Sequence, residues 1–143
     1  MTTPDPVTLS VLDNRFRAIV EEMGEAMLRT AYSQILNSSR DFSIALCDSG
    51  ARLLAQADHI PVHVGAMPFA VQAVVEAFGA EIAEGDIYLL NDPYHGGSHL
   101  PDLTIVVPVF ADGRLMFFSV VRAHHTDIGG GTHGAYNPAA TEI

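Results

Sequence analysis

The sequence has no lysine, no tryptophan and only one cysteine. Its seven basic residues, all arginines, are set against 17 acidic residues, so the net charge is −10. That balance excludes the basic stripe that nucleic-acid binding requires. A single cysteine cannot form an intrachain disulfide, which favours a reducing compartment, and we expect the cytoplasm. Cys47 falls in an apolar run, where a small buried side chain is expected rather than a nucleophile.

Long hydrophobic runs are also missing. No stretch approaches the roughly 20 apolar residues of a membrane-spanning helix, and residues 1–6 have neither the basic start nor the apolar core of a signal peptide. We therefore expect a soluble protein that is not exported. At 143 residues the chain suffices for one domain. Residues 136–143 end it without a closing element or polar tail, so we expect 1–143 to be a fragment of a longer chain.

The hydrophobic pattern predicts an α+β fold, with a long N-terminal helix and a second helix packed on antiparallel hairpins. Asp5 and Pro6 form a helix start. The apolar positions that follow, at steps of three and four, predict a helix over about 6–36. A first hairpin is predicted over 42–57, a helix over about 66–78, a strand over 86–90, and a second hairpin from runs 103–110 and 114–121. Pro108 predicts an edge or bulged position in that hairpin.

The second hairpin joins two polar clusters, residues 91–102 and 122–131, which hold four of the chain's histidines. A three-residue loop at 111–113 would set Asp102 opposite Arg122 and diagonal to His124, within side-chain reach. A two-residue type I′ turn at Asp112 and Gly113 would instead bring His125 to that place. His99, three residues before Asp102, could point at the same atom. Two histidines and a carboxylate suit a divalent metal with open positions, such as zinc, manganese or iron(II), although loop histidines beside a strand start would give the same pattern.

The connection at 58–65 carries His59 and His63. These are either further ligands or loop histidines hydrogen-bonded to backbone, and the residues alone leave both readings open.

Taken together, the motifs resemble the hydantoinase B and oxoprolinase family, which includes N-methylhydantoinase B subunits, 5-oxoprolinases and subunits of acetone and acetophenone carboxylases. The matching stretches cover nearly the whole chain in order: Asp58-His59-Ile60-Pro61-Val62-His63, Gly85-Asp86, Asn91-Asp92-Pro93-Tyr94, His99-Leu100-Pro101-Asp102 and His124-His125-Thr126-Asp127-Ile128-Gly129-Gly130. Members are several times longer, which agrees with a fragment from the N-terminal portion.

The resemblance implies that His99, Asp102 and His124 hold the metal, which selects the three-residue loop. It implies second-shell or substrate-facing roles for the remaining motif residues, His59, His63, Asn91, Asp92, His95, His125 and Asp127.

The resemblance further implies a cytoplasmic hetero-oligomer in which a hydantoinase A-like ATPase subunit binds ATP and activates a cyclic amide, whose ring this chain's subunit opens. The glycine-rich stretch 129–134 lacks a following Gly-Lys-Ser/Thr and a following helix, so it does not predict a phosphate loop. A ketone carboxylase subunit and a non-catalytic portion that supports the ATPase remain the alternatives.

Overall fold

The computed structural model describes residues 5–57, 63, 65–132 and 137–141. The helices are α1 (Pro6–Thr30), α2 (Gln34–Asn37) and α3 (Met67–Phe78). The strands are β1 (Phe42–Asp48), β2 (Leu53–Ala57), β3 (Tyr88–Leu90), β4 (Asp102–Ala111) and β5 (Arg114–His124). Short 3₁₀ turns cover Gly79–Glu81 and Pro93–His95. None of the helices within these ranges has the length and apolar character needed to cross a bilayer.

The five strands form one antiparallel sheet in the order β2-β1-β5-β4-β3, with a helix layer on each face. On one face, here called the α3 face, Met67, Val71 and Val74 of α3 pack against Val106 and Phe118. On the opposite face, Val20 of α1 belongs to a separate apolar cluster, together with Phe42, Ile44, Leu46 and Ala55. The predicted α+β class is therefore confirmed, and the two helices hold the sheet between them.

The first helix begins where the sequence predicts and ends earlier. The Asp5 carboxylate accepts hydrogen bonds from the backbone N–H groups of Val7 and Thr8 at 3.0 and 3.1 Å, which caps the N-terminus. The prediction of one helix to about residue 36 was wrong, because α1 ends at Thr30 and Ala31 has an extended backbone. The chain turns and makes the separate short helix α2 before entering the sheet.

Next to the turn, the β4–β5 pairing follows the predicted alternative with a two-residue turn, and from Val109 back to Asp102 it follows neither predicted register. Ala111 pairs with Arg114, so Asp112 and Gly113 form a two-residue turn, with φ of 50° and 69°. A bulge between Val109 and Phe110 then shifts the pairing by one residue. The predicted three-residue loop was therefore wrong, and the bulge compensates for the shorter turn. Both changes together keep even-numbered residues of β4 opposite even-numbered residues of β5.

Strand β4 is not at the edge of the sheet, but its last part has only β5 beside it. The pairing with β3 covers Thr104 to Val106. Pro108 lies beyond that pairing, where a missing N–H costs no ladder bond to β3. The predicted bulge is present one residue further on.

Candidate metal centre

Asp102 and His124 lie at the end of the hairpin, one at the start of β4 and the other at the end of β5, directly opposite each other. Both side chains are on the α3 face, because they alternate in phase with Val106 and Val120. His124 Nδ1 lies 3.0 Å from Asp102 Oδ1. The backbone N–H of His124 donates to the Asp41 carbonyl at 3.0 Å, which fixes the end of β5 against the entry to β1. The aspartate is only 1% exposed.

His99 reaches the same carboxylate from the preceding turn. The Asp102 N–H donates to the His99 carbonyl at 3.0 Å, and His99 Nδ1 lies 3.0 Å from Asp102 Oδ2. The His99 and His124 ring centroids are 5.0 Å apart. One donor atom from each of the three residues can be chosen so that all lie within 4.8 Å of one another. His99 is about half exposed, so the cluster opens to solvent on its side.

The buried His63 contacts the Asp102 carboxylate from the interior of the protein. His63 Nε2 lies 3.0 Å from Asp102 Oδ2, and His63 Nδ1 lies 3.1 Å from the Ser43 hydroxyl. Because an ionised carboxylate only accepts hydrogen bonds, Nε2 carries the proton and Nδ1 accepts from Ser43. The Ser98 hydroxyl also donates to Asp102 Oδ2. Sequence reasoning placed His63 among the uncertain residues and missed both serines.

The electrostatics of Asp102 follow from these contacts. Burial alone raises the pKa of its carboxyl, but hydrogen bonds from His63, Ser98 and His124 and the nearby His99 lower it by more. The net result is a pKa well below the usual range, so Asp102 carries a full negative charge at neutral pH. A buried carboxylate surrounded by imidazoles is a ready counter-charge for a cation.

Arg122 lies one position further into the sheet on the same face as His124, and it was not predicted as a site residue. Its guanidinium is fully buried. Nε donates to Thr104 Oγ1 at 2.8 Å, and one terminal nitrogen donates to the Gly96 carbonyl. Burial lowers the pKa of Arg122, and Asp102 raises it by less. The sequence pattern does not show that Arg122, unlike the other arginines, is a site residue, because its burial depends on how the strands pair.

The loop after β3 contains three of the remaining motif residues, Asn91, Asp92 and His95. Asn91 Nδ2 donates to the Leu100 carbonyl at 2.8 Å and closes the loop. Asp92 accepts from the Tyr94 N–H at 2.8 Å and lies 2.6 Å from His95 Nδ1. The Asp92–His95 pair is exposed and separate from the His99–Asp102–His124 cluster.

Two surface cavities, each of about 400 Å³, border this pair. One lies between α3 and the loop and includes Phe69, Glu76 and Tyr94. The other is more apolar and includes Phe78 and Ile87. His95 lines both of them.

The other motif residues are not brought into the cluster. His125 is exposed, and its backbone N–H donates to the Pro101 carbonyl at 2.9 Å. Asp127 accepts from the Gly129 N–H at 2.8 Å, which is a local turn contact. His59 lies outside the described residues.

The donor set fits a divalent transition metal. Two imidazoles and one carboxylate converge, one side is open to solvent, and the carboxylate is held through its Oδ2 by His63 and Ser98. Such a set leaves coordination positions for water or substrate, as in sites for zinc, manganese or iron(II).

Comparison with known proteins places the chain in a family. The model of the hydantoinase B/oxoprolinase family matches residues 5–143. The 5-oxoprolinase of Dictyostelium discoideum is 45% identical over 142 residues, which is 99% of this chain and 11% of that protein. The crystal structure of the ATP-dependent caprolactamase from Pseudomonas jessenii superposes with a TM-score of 0.90 and 40% identity, covering 99% of this chain and 24% of that one.

A nucleotide-free structure of acetone carboxylase superposes with a TM-score of 0.78 and 27% identity, over 86% of this chain and 16% of that one. The chain thus spans between 11% and 24% of the length of these three proteins. Because the family model covers almost every residue and the strongest likenesses extend over the whole chain, this chain belongs to the hydantoinase B/oxoprolinase family.

Proposed function

We propose that this chain contributes the divalent metal centre of an ATP-dependent enzyme that opens cyclic amides of the hydantoin or 5-oxoproline type. The observation that carries the proposal is the convergence of His99, Asp102 and His124 within 4.8 Å at the end of the β4–β5 hairpin. The likeness to a 5-oxoprolinase and to an ATP-dependent caprolactamase supports the choice of reaction.

The three proposed ligands have distinct tasks. Asp102 supplies the negative charge that offsets the cation, and the lowered pKa of its carboxyl keeps that charge in place near neutral pH. His99 and His124 would supply nitrogen donors, one beside each oxygen of the carboxylate. When bound, the ion would polarise a carbonyl oxygen and activate a water molecule near neutral pH.

The surrounding residues hold the ligands in place. His63 and Ser43 form a buried chain of hydrogen bonds that ends on Asp102. Ser98 adds a hydroxyl donor from the loop. Orienting groups of this kind set the geometry and the basicity of metal ligands.

The Asp92–His95 pair is our candidate for contact with substrate. His95 lines both cavities, and its Nδ1 faces the Asp92 carboxylate, so its second nitrogen, which has no hydrogen-bond partner among the described residues, could act on a bound molecule. An imidazole oriented by a carboxylate is a common proton donor and acceptor. Asn91 closes the same loop and supports this arrangement.

We further propose that ATP binds to a hydantoinase A-like partner subunit in the cytoplasm. This chain has no lysine for a phosphate loop. Activation of the ring would then occur on the partner, and ring opening in this subunit.

A second candidate is the corresponding subunit of an acetone-type carboxylase, which the likeness to acetone carboxylase favours. The same ligands and supporting residues would serve that reaction. The two candidates differ in substrate, and not in the metal centre.

One experiment separates these functions. The full-length protein is purified with its partner and supplied with ATP and either 5-oxoproline, a hydantoin and caprolactam, or acetone and bicarbonate. We expect ATP-dependent ring opening that a chelator abolishes and a divalent metal restores. Carboxylation of acetone would assign the second candidate. Turnover that is unaffected by exhaustive metal removal would reduce this chain to a supporting role.

A further inference from the structure

We propose that Arg122 is a positioning residue for the metal centre: its guanidinium fixes the loop that carries His99 onto the strand that carries His124. The inference rests on the proposed metal site. It adds a residue that the sequence motifs do not contain.

The position of Arg122 follows from strand pairing. On the α3 face, the Asp102–His124 pair is followed one rung deeper by Thr104 and Arg122, and Ser43 of β1 lies on the other side of Arg122. Arg122 therefore lies on the same face as the metal cluster, one rung deeper, and its guanidinium reaches from β5 to the loop at Gly96. It is also fully enclosed, with 0% of the residue exposed.

The partners of Arg122 indicate a role beyond simple packing. Among the described residues, Arg122 forms no ion pair within 4 Å, and its hydrogen bonds go to Thr104 Oγ1 and the Gly96 carbonyl. Its Nη1 is buried without a partner in that part of the chain. Burying a charge on neutral oxygens with one donor unsatisfied costs stability. We therefore explain the arginine at this position by the two groups that its hydrogen bonds hold in place, Thr104 and the Gly96 carbonyl.

The bond to Gly96 holds the loop at its tightest point. Gly96 has φ of 83°, and a Cβ there would lie 2.3 Å from the Ala70 backbone nitrogen. The loop backbone is thus pressed against α3 on one side and bonded to Arg122 on the other. Ser98 and His99 follow within three residues, and both contact Asp102.

The other loop contacts do not replace this bond. Asn91 and the Asp92 carbonyl bond to Leu100 and Gly97, so they close the loop on itself. The hydrogen bond from Arg122 instead joins the middle of the loop, at Gly96, to β5. The Asp102 N–H still holds the His99 carbonyl when that bond is lost, so the loss should loosen the loop before His99 and shift the His99 ring relative to His124, whose own position is fixed by the sheet.

The test is a pair of double-mutant cycles on the full-length protein, with cobalt(II) as the probe ion and its visible absorption as the signal. Dissociation constants are measured for the parent, Arg122→Lys, His99→Ala, His124→Ala and the two double variants. Arg122→Lys keeps the buried charge and loses the forked geometry. Arg122→Gln is run in parallel, and near-UV circular dichroism decides which of the two retains the native packing.

We expect Arg122→Lys to weaken cobalt binding by about ten- to a hundredfold and to alter the spectrum as loss of one imidazole does. In the His99→Ala background the same change should cost less than about threefold, and in the His124→Ala background it should keep most of its effect. Arg114→Lys, the same change at an exposed arginine at the far end of β5, should bind cobalt like the parent.

Equal costs in both backgrounds would mean that Arg122 acts on the fold in general, and the proposal would be overturned. A loss in Arg114→Lys as large as in Arg122→Lys would also overturn it. If the parent bound no cobalt at all, the proposed metal centre itself would be wrong. That failure is distinct from the first one, in which the parent binds cobalt and the effects of the two substitutions are additive.

Discussion

Replacing Asp102 with asparagine tests the centre at its most buried point. Asparagine keeps the shape of the side chain, removes the charge and turns one acceptor oxygen into a donor. In the metal-free protein, that donor would face an imidazole or hydroxyl that now donates to Asp102. Hydrogen bonds to charged groups contribute about 1.5–3 kcal/mol each, so with partial compensation we expect a loss of about 2 kcal/mol in the free energy of unfolding.

The effect on metal binding should be larger than the effect on the fold. Groups that only orient metal ligands change affinity by about 10- to 100-fold, so loss of the charged ligand itself should exceed 100-fold, or about 3 kcal/mol. Isothermal titration of zinc into the metal-free full-length protein measures this directly. Zinc affinity within tenfold of the parent would refute the reasoning, because it would mean that the Asp102 charge is not part of the site.

Three further outcomes follow from the geometry. Gly96→Ala should lower both stability and metal affinity, because its φ is positive and its Cβ would collide with the Ala70 backbone; titration with cobalt and a thermal melt check this, and parent-like values in both would contradict it. Burial raises the pKa of Asp48, but hydrogen bonds from Arg52 lower it by more, so the folded pKa is below the unfolded value. The stability that Asp48 contributes is therefore present at neutral pH and lost progressively as the pH falls below about 4; urea melts of Asp48→Ala should differ from the parent at pH 7, and the difference should shrink as the pH is lowered further. Burial raises the pKa of the Cys47 thiol to about 11, so a thiol reagent at pH 8 should label it only after denaturation, and rapid labelling of the native protein would show that the thiol is accessible.

The nearness of Asp102 to His124 could be predicted from the sequence because a hairpin makes strand positions countable. The turn was predicted with the wrong length, and the bulge at Phe110 restored the same face. The face of the sheet on which a side chain lies alternates from one residue to the next, so two shifts of one residue each restore the original face. In the structure His124, and not His125, lies opposite Asp102, although the predicted register that placed them together differs from the observed one.

The support beneath Asp102 could not be predicted in the same way. His63 is 39 residues from Asp102 in the chain, and Ser43 is 20 residues from His63. Their meeting depends on how β1 pairs with β5, which no local pattern specifies. Because Asp102 is buried and hydrogen-bonded, Asp102→Ala should also lower the stability of the fold.

Both the burial of β1 and the end of α1 are set by tertiary packing. Strand β1 alternates apolar and small residues, a pattern typical of a half-buried strand, yet all but its last residue are buried because a helix covers each side. Residues 31–33 contain no glycine or proline, so nothing local signals the end of α1. The break allows Leu36 to pack on the α1 side of the sheet.

The most direct test of the account is the metal content of the purified full-length protein and four variants. Elemental analysis after dialysis should find close to one divalent ion per chain in the parent and in His125→Ala. It should find little in His99→Ala, Asp102→Asn or His124→Ala, because each removes a ligand from the cluster. Full occupancy in His124→Ala together with an empty His125→Ala, or a parent that binds no divalent metal, would contradict the central claim.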